Sequence, residues 1–153
     1  MFKSARRLSA LSVAAVALSV IALPASPAFA YDDSFAASTP TGAGVANFVD
    51  SGTWPGGGSN DDFVVIHDYA SDGYGVAAYL WIDRNVPNDT DWRYLGWKVN
   101  KNGLAGAAVY WEIPEGGNIY PNQGVKLKVC LLDRNGNTPE STCRERYHYS
   151  VDG

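Results

Sequence analysis

From residue 44 onward, apolar and polar positions alternate in short runs, and no run holds a helical period. "DDFVVIHDY" (61–69) sets Phe63, Val65, His67 and Tyr69 against Val64, Ile66 and Asp68. "YGVAAYLWID" (74–83) sets Val76, Ala78, Leu80 and Ile82 against Ala77, Tyr79 and Trp81. "GVANFV" (44–49), "WRYLGWKVN" (92–100), "GAAVYWEI" (106–113), "GVKLKVCLLD" (124–133) and "CRERYHYSV" (143–151) continue in this manner, rich in β-branched or aromatic side chains. Between them stand "SDG", "RNVPNDTD", "NKNG", "PEGGNIYPNQ" and "DRNGNTPEST", which carry the Gly, Asn, Asp and Pro that tight turns need. About seven strands at roughly regular spacing predict an all-β fold, an antiparallel β-sandwich, immunoglobulin-like or similar. The clearest strand is 124–132, where Val125, Leu127, Val129 and Leu131 alternate with Lys126, Lys128 and Cys130, so that one face is buried and the other is wet.

The first 30 residues break this pattern. Lys3, Arg6 and Arg7 precede an apolar run from Leu8 to Leu23, and Ala28-Phe29-Ala30 supplies small residues at the −3 and −1 positions of a signal-peptidase site. The run is about 16 residues, short of the ~20 that cross a bilayer, so residues 1–30 are expected to be a signal peptide that is removed, leaving a secreted, extracellular chain with no membrane association. Residues 31–43, built from Ser, Thr, Ala, Gly, Pro and acid, lack the apolar surface to fold alone and are expected to form an extended, flexible tail before a domain at 44–153.

Charge narrows the partners. The expected mature chain, 31–153, holds all 16 acidic side chains but only 9 of the 12 basic ones, a formal charge of −7. Such a surface argues against nucleic acid and anionic lipid. Cys130 and Cys143 are the only cysteines, and an exported pair reads as a disulfide; metal ligation would want more Cys or His than His67 and His148. No metal or other cofactor is expected.

The strong catalytic signatures are missing: the sequence holds no GxSxG elbow, HExxH, P-loop or dinucleotide glycine pattern. A Ser-His-Asp triad assembled in space would need His67 or His148, but His67 lies mid-strand, where a partly buried, hydrogen-bonded histidine is expected, and His148 reads as surface. The acidic pairs Asp32-Asp33 and Asp61-Asp62 fall in a tail and a turn, not across a cleft. The "DRNGNT" loop from Asp133 has Gly136 at the fourth position where a calcium loop wants Gly sixth, and "DRNVPNDTD" from Asp83 is broken by Pro87, so turns explain both. A non-enzymatic protein is expected.

Aromatics are in excess, with 5 Trp and 9 Tyr. Trp81, Trp97 and Trp111 fall within strands, where packing between the sheets is the default, whereas Trp54 in "GTWPGGG" stands in a loop. Exposed rings stack on sugars and anchor protein interfaces. In the tail, Tyr31 and Phe35 are spaced to share a face of an extended segment that adds to a sheet edge or fills a groove. Tyr31, Asp32, Asp33 and Phe35, with Trp54, are the expected protein-binding residues.

Two resemblances bear on function. Trp92-Arg93-Tyr94 resembles the triplet that secreted actinobacterial α-amylase inhibitors of the tendamistat type present to their target, although a second disulfide is lacking and the triplet starts a strand. The layout as a whole, an Ala-rich export signal, a short acidic tail and a sandwich containing "NGLAGAAVYWEI", "GVKLKVCLLD" and a terminal "SVDG", resembles the adaptor subunit of umbrella toxin particles, small secreted proteins of filamentous actinobacteria. That resemblance implies a non-enzymatic adaptor in an extracellular antibacterial toxin complex, its N-terminal tail inserting into a lectin-bearing, protease-like subunit that it joins to a repeat-containing toxin polypeptide. An inhibitor of an amylase or protease and a carbohydrate-binding module are the alternatives.

Overall fold

A computed structural model describes residues 32–52, 62–84, 92–113 and 118–151. Among these residues eight strands form: β1 (Phe35–Ser38), β2 (Gly44–Val49), β3 (Phe63–Asp68), β4 (Gly75–Asp83), β5 (Trp92–Asn100), β6 (Val109–Glu112), β7 (Gly124–Leu132) and β8 (Arg144–Tyr149), with a 3-10 turn at Glu140–Thr142 before β8. They make two four-stranded antiparallel sheets, ordered β1-β2-β3-β6 and β5-β4-β7-β8, packed as a β-sandwich.

Period-2 alternation fixes which side chains fill the space between the sheets. Phe48, Val64, Ile66 and Trp111 from the first sheet meet Val76, Leu80, Ile82, Val125, Leu127 and Val129 from the second. Burying a side chain of this size stabilises by roughly 1.5–3 kcal/mol. β3 is buried on both faces, because Phe63 and Val65 lie under Tyr110 and Ala108 in a smaller cluster on the far side. Asn100 closes one corner, its Nδ2 donating to the Ile66 carbonyl at 2.8 Å. Cys130 of β7 and Cys143, just ahead of β8, are bonded, stapling the hairpin across a 13-residue separation.

The tail is where structure and expectation part. Residues 35–38 are not free: they form the eighth strand, an edge strand paired with β2 from Phe35↔Phe48 to Ser38↔Val45. Ala37 faces the core, Thr39 Oγ1 accepts from Gly44 N–H at 3.0 Å, and the chain turns into β2 through Gly42 at φ +73°. The domain therefore begins near residue 33 and not at 44. Four residues, half of them alanine, carry too weak an alternation to be read as a strand; the pairing with β2 makes them one.

Candidate functional site

The outer face of the second sheet gathers the excess aromatics. In β4 the residues that alternate with the core, Tyr79 and Trp81, point away from it, as do Lys126 and Lys128 in β7. The register aligns them across all four strands. One row reads Trp97, Tyr79, Lys128, Glu145; the next reads Tyr94, Trp81, Lys126, Tyr147; the third reads Trp92, Asp83, Gly124, Tyr149.

β5 joins this face through a local irregularity. Tyr94 and Trp97 are three positions apart, so plain alternation would send them to opposite faces. Between them the register shifts: Leu80 pairs with Gly96 while Trp81 pairs with Tyr94, leaving Leu95 as the extra residue of a β-bulge. Gly96 sits at φ +138°, a backbone region that only glycine occupies readily. The bulge re-phases the strand, so Trp92 and Tyr94 before it and Trp97 after it share one side.

The rings touch in sequence. Tyr79 stacks on Trp97 at 5.8 Å and on Trp81 at 6.2 Å, and Trp81 meets Tyr94 at 5.2 Å. Trp92, Tyr147 and Tyr149 form a second group with centroids 6.0 to 6.2 Å apart. Lys126 joins the groups, its Nζ 4.9 Å from the rings of both Trp81 and Trp92. The Tyr79 hydroxyl bonds Thr138 at 2.9 Å, and the Tyr149 hydroxyl donates to the buried Asp83 carboxylate at 3.2 Å. Burial and then this carboxylate push the Tyr149 phenol up from its ordinary pKa. Gly124 lies beneath: a Cβ there would come within 2.8 Å of Trp92 and 2.9 Å of Tyr149, so glycine lets the rings settle on the sheet.

Trp97 remains 51% exposed, Tyr94 49% and Tyr147 63%. A seven-ring array open to water on a folded surface is the kind of contiguous patch that marks an interaction site. The expectation that strand tryptophans pack between the sheets holds for Trp111, which is 9% exposed, and fails for Trp81 and Trp97. Of the Trp92-Arg93-Tyr94 triplet, Trp92 and Tyr94 join the array, while Arg93 pairs with inward-facing Ile82 and projects, exposed, to the other side.

Of the tail residues expected to bind a partner, Asp33 and Phe35 are held against the protein's own interior. Asp33 is buried, its side chain 1% exposed, and accepts from Val151 N–H at 2.7 Å and from His148 Nε2 at 2.9 Å. Burial raises its pKa, but the hydrogen bonds from Val151, His148 and Ser150 and the histidine's charge together outweigh that and leave the carboxyl below its ordinary value. Phe35 is half-buried against Phe48 at 5.6 Å and His148 at 6.0 Å. Asp32 is exposed and accepts from Ser34 N–H in a local turn. Tyr31 and Trp54 lie outside the described residues.

The histidines and acidic loops singled out in the sequence are placed as follows. His148 Nε2 and the Ser150 side chain both bond the buried Asp33 carboxylate, so the group ties the segment ahead of β1 to the segment after β8. His67 stacks on Tyr69 at 5.1 Å, and burial lowers its pKa. Asp133 Oδ1 accepts from Asn135 and Asn137 N–H, both at 2.8 Å, and Oδ2 from the Asn137 amide, so this carboxylate organises its own turn. Most of "DRNVPNDTD" lies outside the described residues.

No protein-family model, no curated protein and no solved structure matches the chain.

Proposed function

We propose that the protein is a secreted, non-enzymatic adaptor that holds a protein partner on the aromatic outer face of the β5-β4-β7-β8 sheet, in an extracellular complex of the kind that the resemblance to toxin-particle adaptors implies. The observation that carries this reading is the contiguous ring array around Lys126. Tyr and Trp deliver large contact area at low entropic cost and dominate the energetics of interface centres. A protein is favoured over a sugar chain because the rings lean on one another: Tyr79 is stacked on both Trp97 and Trp81, and Lys126 sits over Trp81 and Trp92, so several ring faces are already covered. The Cys130–Cys143 bond fits an oxidising, extracellular setting. Among the described residues no helix is long and apolar enough to cross a membrane.

The placement of the site departs from the tail-first expectation. A segment registered strand-to-strand with β2, with Asp33 locked beneath, would have to leave the sandwich before it entered a partner's groove. The test is capture from the producing organism's culture medium with tagged chain 31–153, followed by mass spectrometry. A protein recovered stoichiometrically by wild type and lost with Trp97→Ala or Tyr147→Ala supports the proposal. Recovery of the bait alone, or of the same partner by both variants, refutes it. Binding of an insoluble polysaccharide by wild type and not by these variants would transfer the face to the carbohydrate-binding alternative.

A further inference from the structure

The charges on the ring face cancel one another locally. The outward positions of its four strands carry two cations, Lys126 and Lys128, and two carboxylates, Asp83 and Glu145, and a further carboxylate, Glu140, reaches over from the 3-10 turn. Arg93, Lys98, Arg144 and Arg146 stand opposite core-facing Ile82, Ala78, Val129 and Leu127, which puts them on the other side of the sheet. Lys128 Nζ donates to both Glu140 oxygens, at 2.8 and 2.6 Å, and Lys126 Nζ lies 3.9 Å from Glu145 Oε1 as well as over two rings. The side chains of Lys126 and Lys128 are only 16% and 24% exposed, so neither ammonium is offered free to a partner. Asp83 is buried and accepts from the Tyr149 hydroxyl. Residues 31–153 sum to a formal charge of −7, yet both lysines of this face are already matched within it.

We propose that the protein seated on this face meets it with an uncharged, apolar surface, and that Glu140 and Glu145 fit the face to such a partner by cancelling Lys128 and Lys126. This rests on the proposed function and adds to it the partner's chemistry and two specificity-determining residues. Covering the rings takes water away from both lysines. An ammonium without a counter-ion beneath an apolar surface carries a desolvation penalty that nothing offsets, whereas a lysine already holding a glutamate keeps its counter-ion when water leaves. A partner carboxylate would have to displace the glutamate that each lysine holds, and a partner cation would compete with the lysine for it. The apolar rings are therefore what the face has left to offer, and the matched charges penalise a charged competitor.

The test measures, by surface plasmon resonance, the affinity of chain 31–153 for the protein that capture from the medium identifies. Wild type changes its Kd by less than about threefold between about 50 mM and about 500 mM sodium chloride, because few unmatched charges remain to be screened. Glu140→Gln and Glu145→Gln, each of which leaves one lysine unmatched under the partner, weaken binding about tenfold or more. The paired variants Lys128→Met/Glu140→Gln and Lys126→Met/Glu145→Gln return to within about threefold of wild type, since replacing both members of an ion pair by neutral side chains is close to neutral. The Glu140 and Glu145 side chains are 79% and 49% exposed, and matching circular dichroism spectra establish folding. Tighter binding by either glutamine variant reveals partner carboxylates taking up the freed lysine and overturns the inference. Unchanged binding by both, paired variants that fail to recover, or a Kd that rises tenfold or more across that salt range, the mark of a charged partner, overturns it as well. If Trp97→Ala abolishes binding while the glutamine variants do not weaken it, this inference falls and the proposed function stands; if Trp97→Ala binds as wild type does, or nothing is captured, both fall.

Discussion

Replacing Gly96 by alanine should cost stability through the backbone and binding through geometry. An added Cβ would find Trp111 Cζ2 at 3.7 Å, an ordinary contact, so steric overlap contributes little. The cost lies in φ +138°, which a side-chain-bearing residue adopts only under strain of roughly 1–3 kcal/mol. For a domain of this size, 1 kcal/mol moves Tm by about 3–6 °C, so a fall of about 3–18 °C is expected in a thermal melt followed by circular dichroism. The bulge also sets Trp97 beside Tyr79, and a strand that escapes strain by losing it turns Trp97 to the opposite face. Partner affinity should then drop by at least as much as in Trp97→Ala. Gly136→Ala is the matched control: φ is +87° with open space around it, so it loses stability of similar size and keeps binding. A Gly96→Ala protein within about 0.5 kcal/mol of wild type, or one that binds normally after losing stability, would refute the role given to the bulge.

Other outcomes follow from single contacts. Asp33→Ala should cost about 2–4 kcal/mol in urea denaturation, because it strands the Val151 N–H and releases His148. The folded-state pKa of Asp33 is lowered, so its contribution is present above the unfolded value of about 3.9 and is lost as pH falls through the folded value; the stability gap between wild type and Asp33→Asn should therefore close in strong acid. Removing the staple with Cys130→Ala/Cys143→Ala should cost about 3 kcal/mol, and dithiothreitol should reproduce the loss in wild type but not in the variant. Gly124→Val should displace Trp92 and Tyr149 and destabilise by about 1–3 kcal/mol, with the tryptophan fluorescence of the native state altered.

How much of this was legible beforehand depends on whether a feature is local. The faces of 75–83 and 124–132 follow from period-2 alternation, and Val76, Leu80, Val125 and Leu127 are where it puts them. The disulfide joins the only two cysteines in the sequence. Alternation is silent about neighbours, however, and the array exists only because β5, β4, β7 and β8 lie side by side in that order. The glycine in "LGW" was the one local sign of the bulge. The anchoring of Asp33 by His148 spans 115 residues, and no pattern near either residue announces it. β1 was hidden for the same reason: Phe35 reads as an exposed anchor until Phe48 and His148 are placed around it. One practical consequence is that deleting 31–43, the natural test of a tail, would remove a strand and expose the core, and so could not separate binding from folding.

The most direct measurement of the central claim is a dissociation-constant series against the captured partner for Trp81→Ala, Tyr94→Ala, Trp97→Ala and Tyr147→Ala, alongside a chain that starts at Asp33. Rings at the centre of an interface should each cost about 2 kcal/mol or more, roughly thirtyfold in Kd, while the shortened chain binds as wild type does. Affinity that survives the ring substitutions and disappears with Tyr31 and Asp32 would contradict the account and return the binding site to the N-terminus.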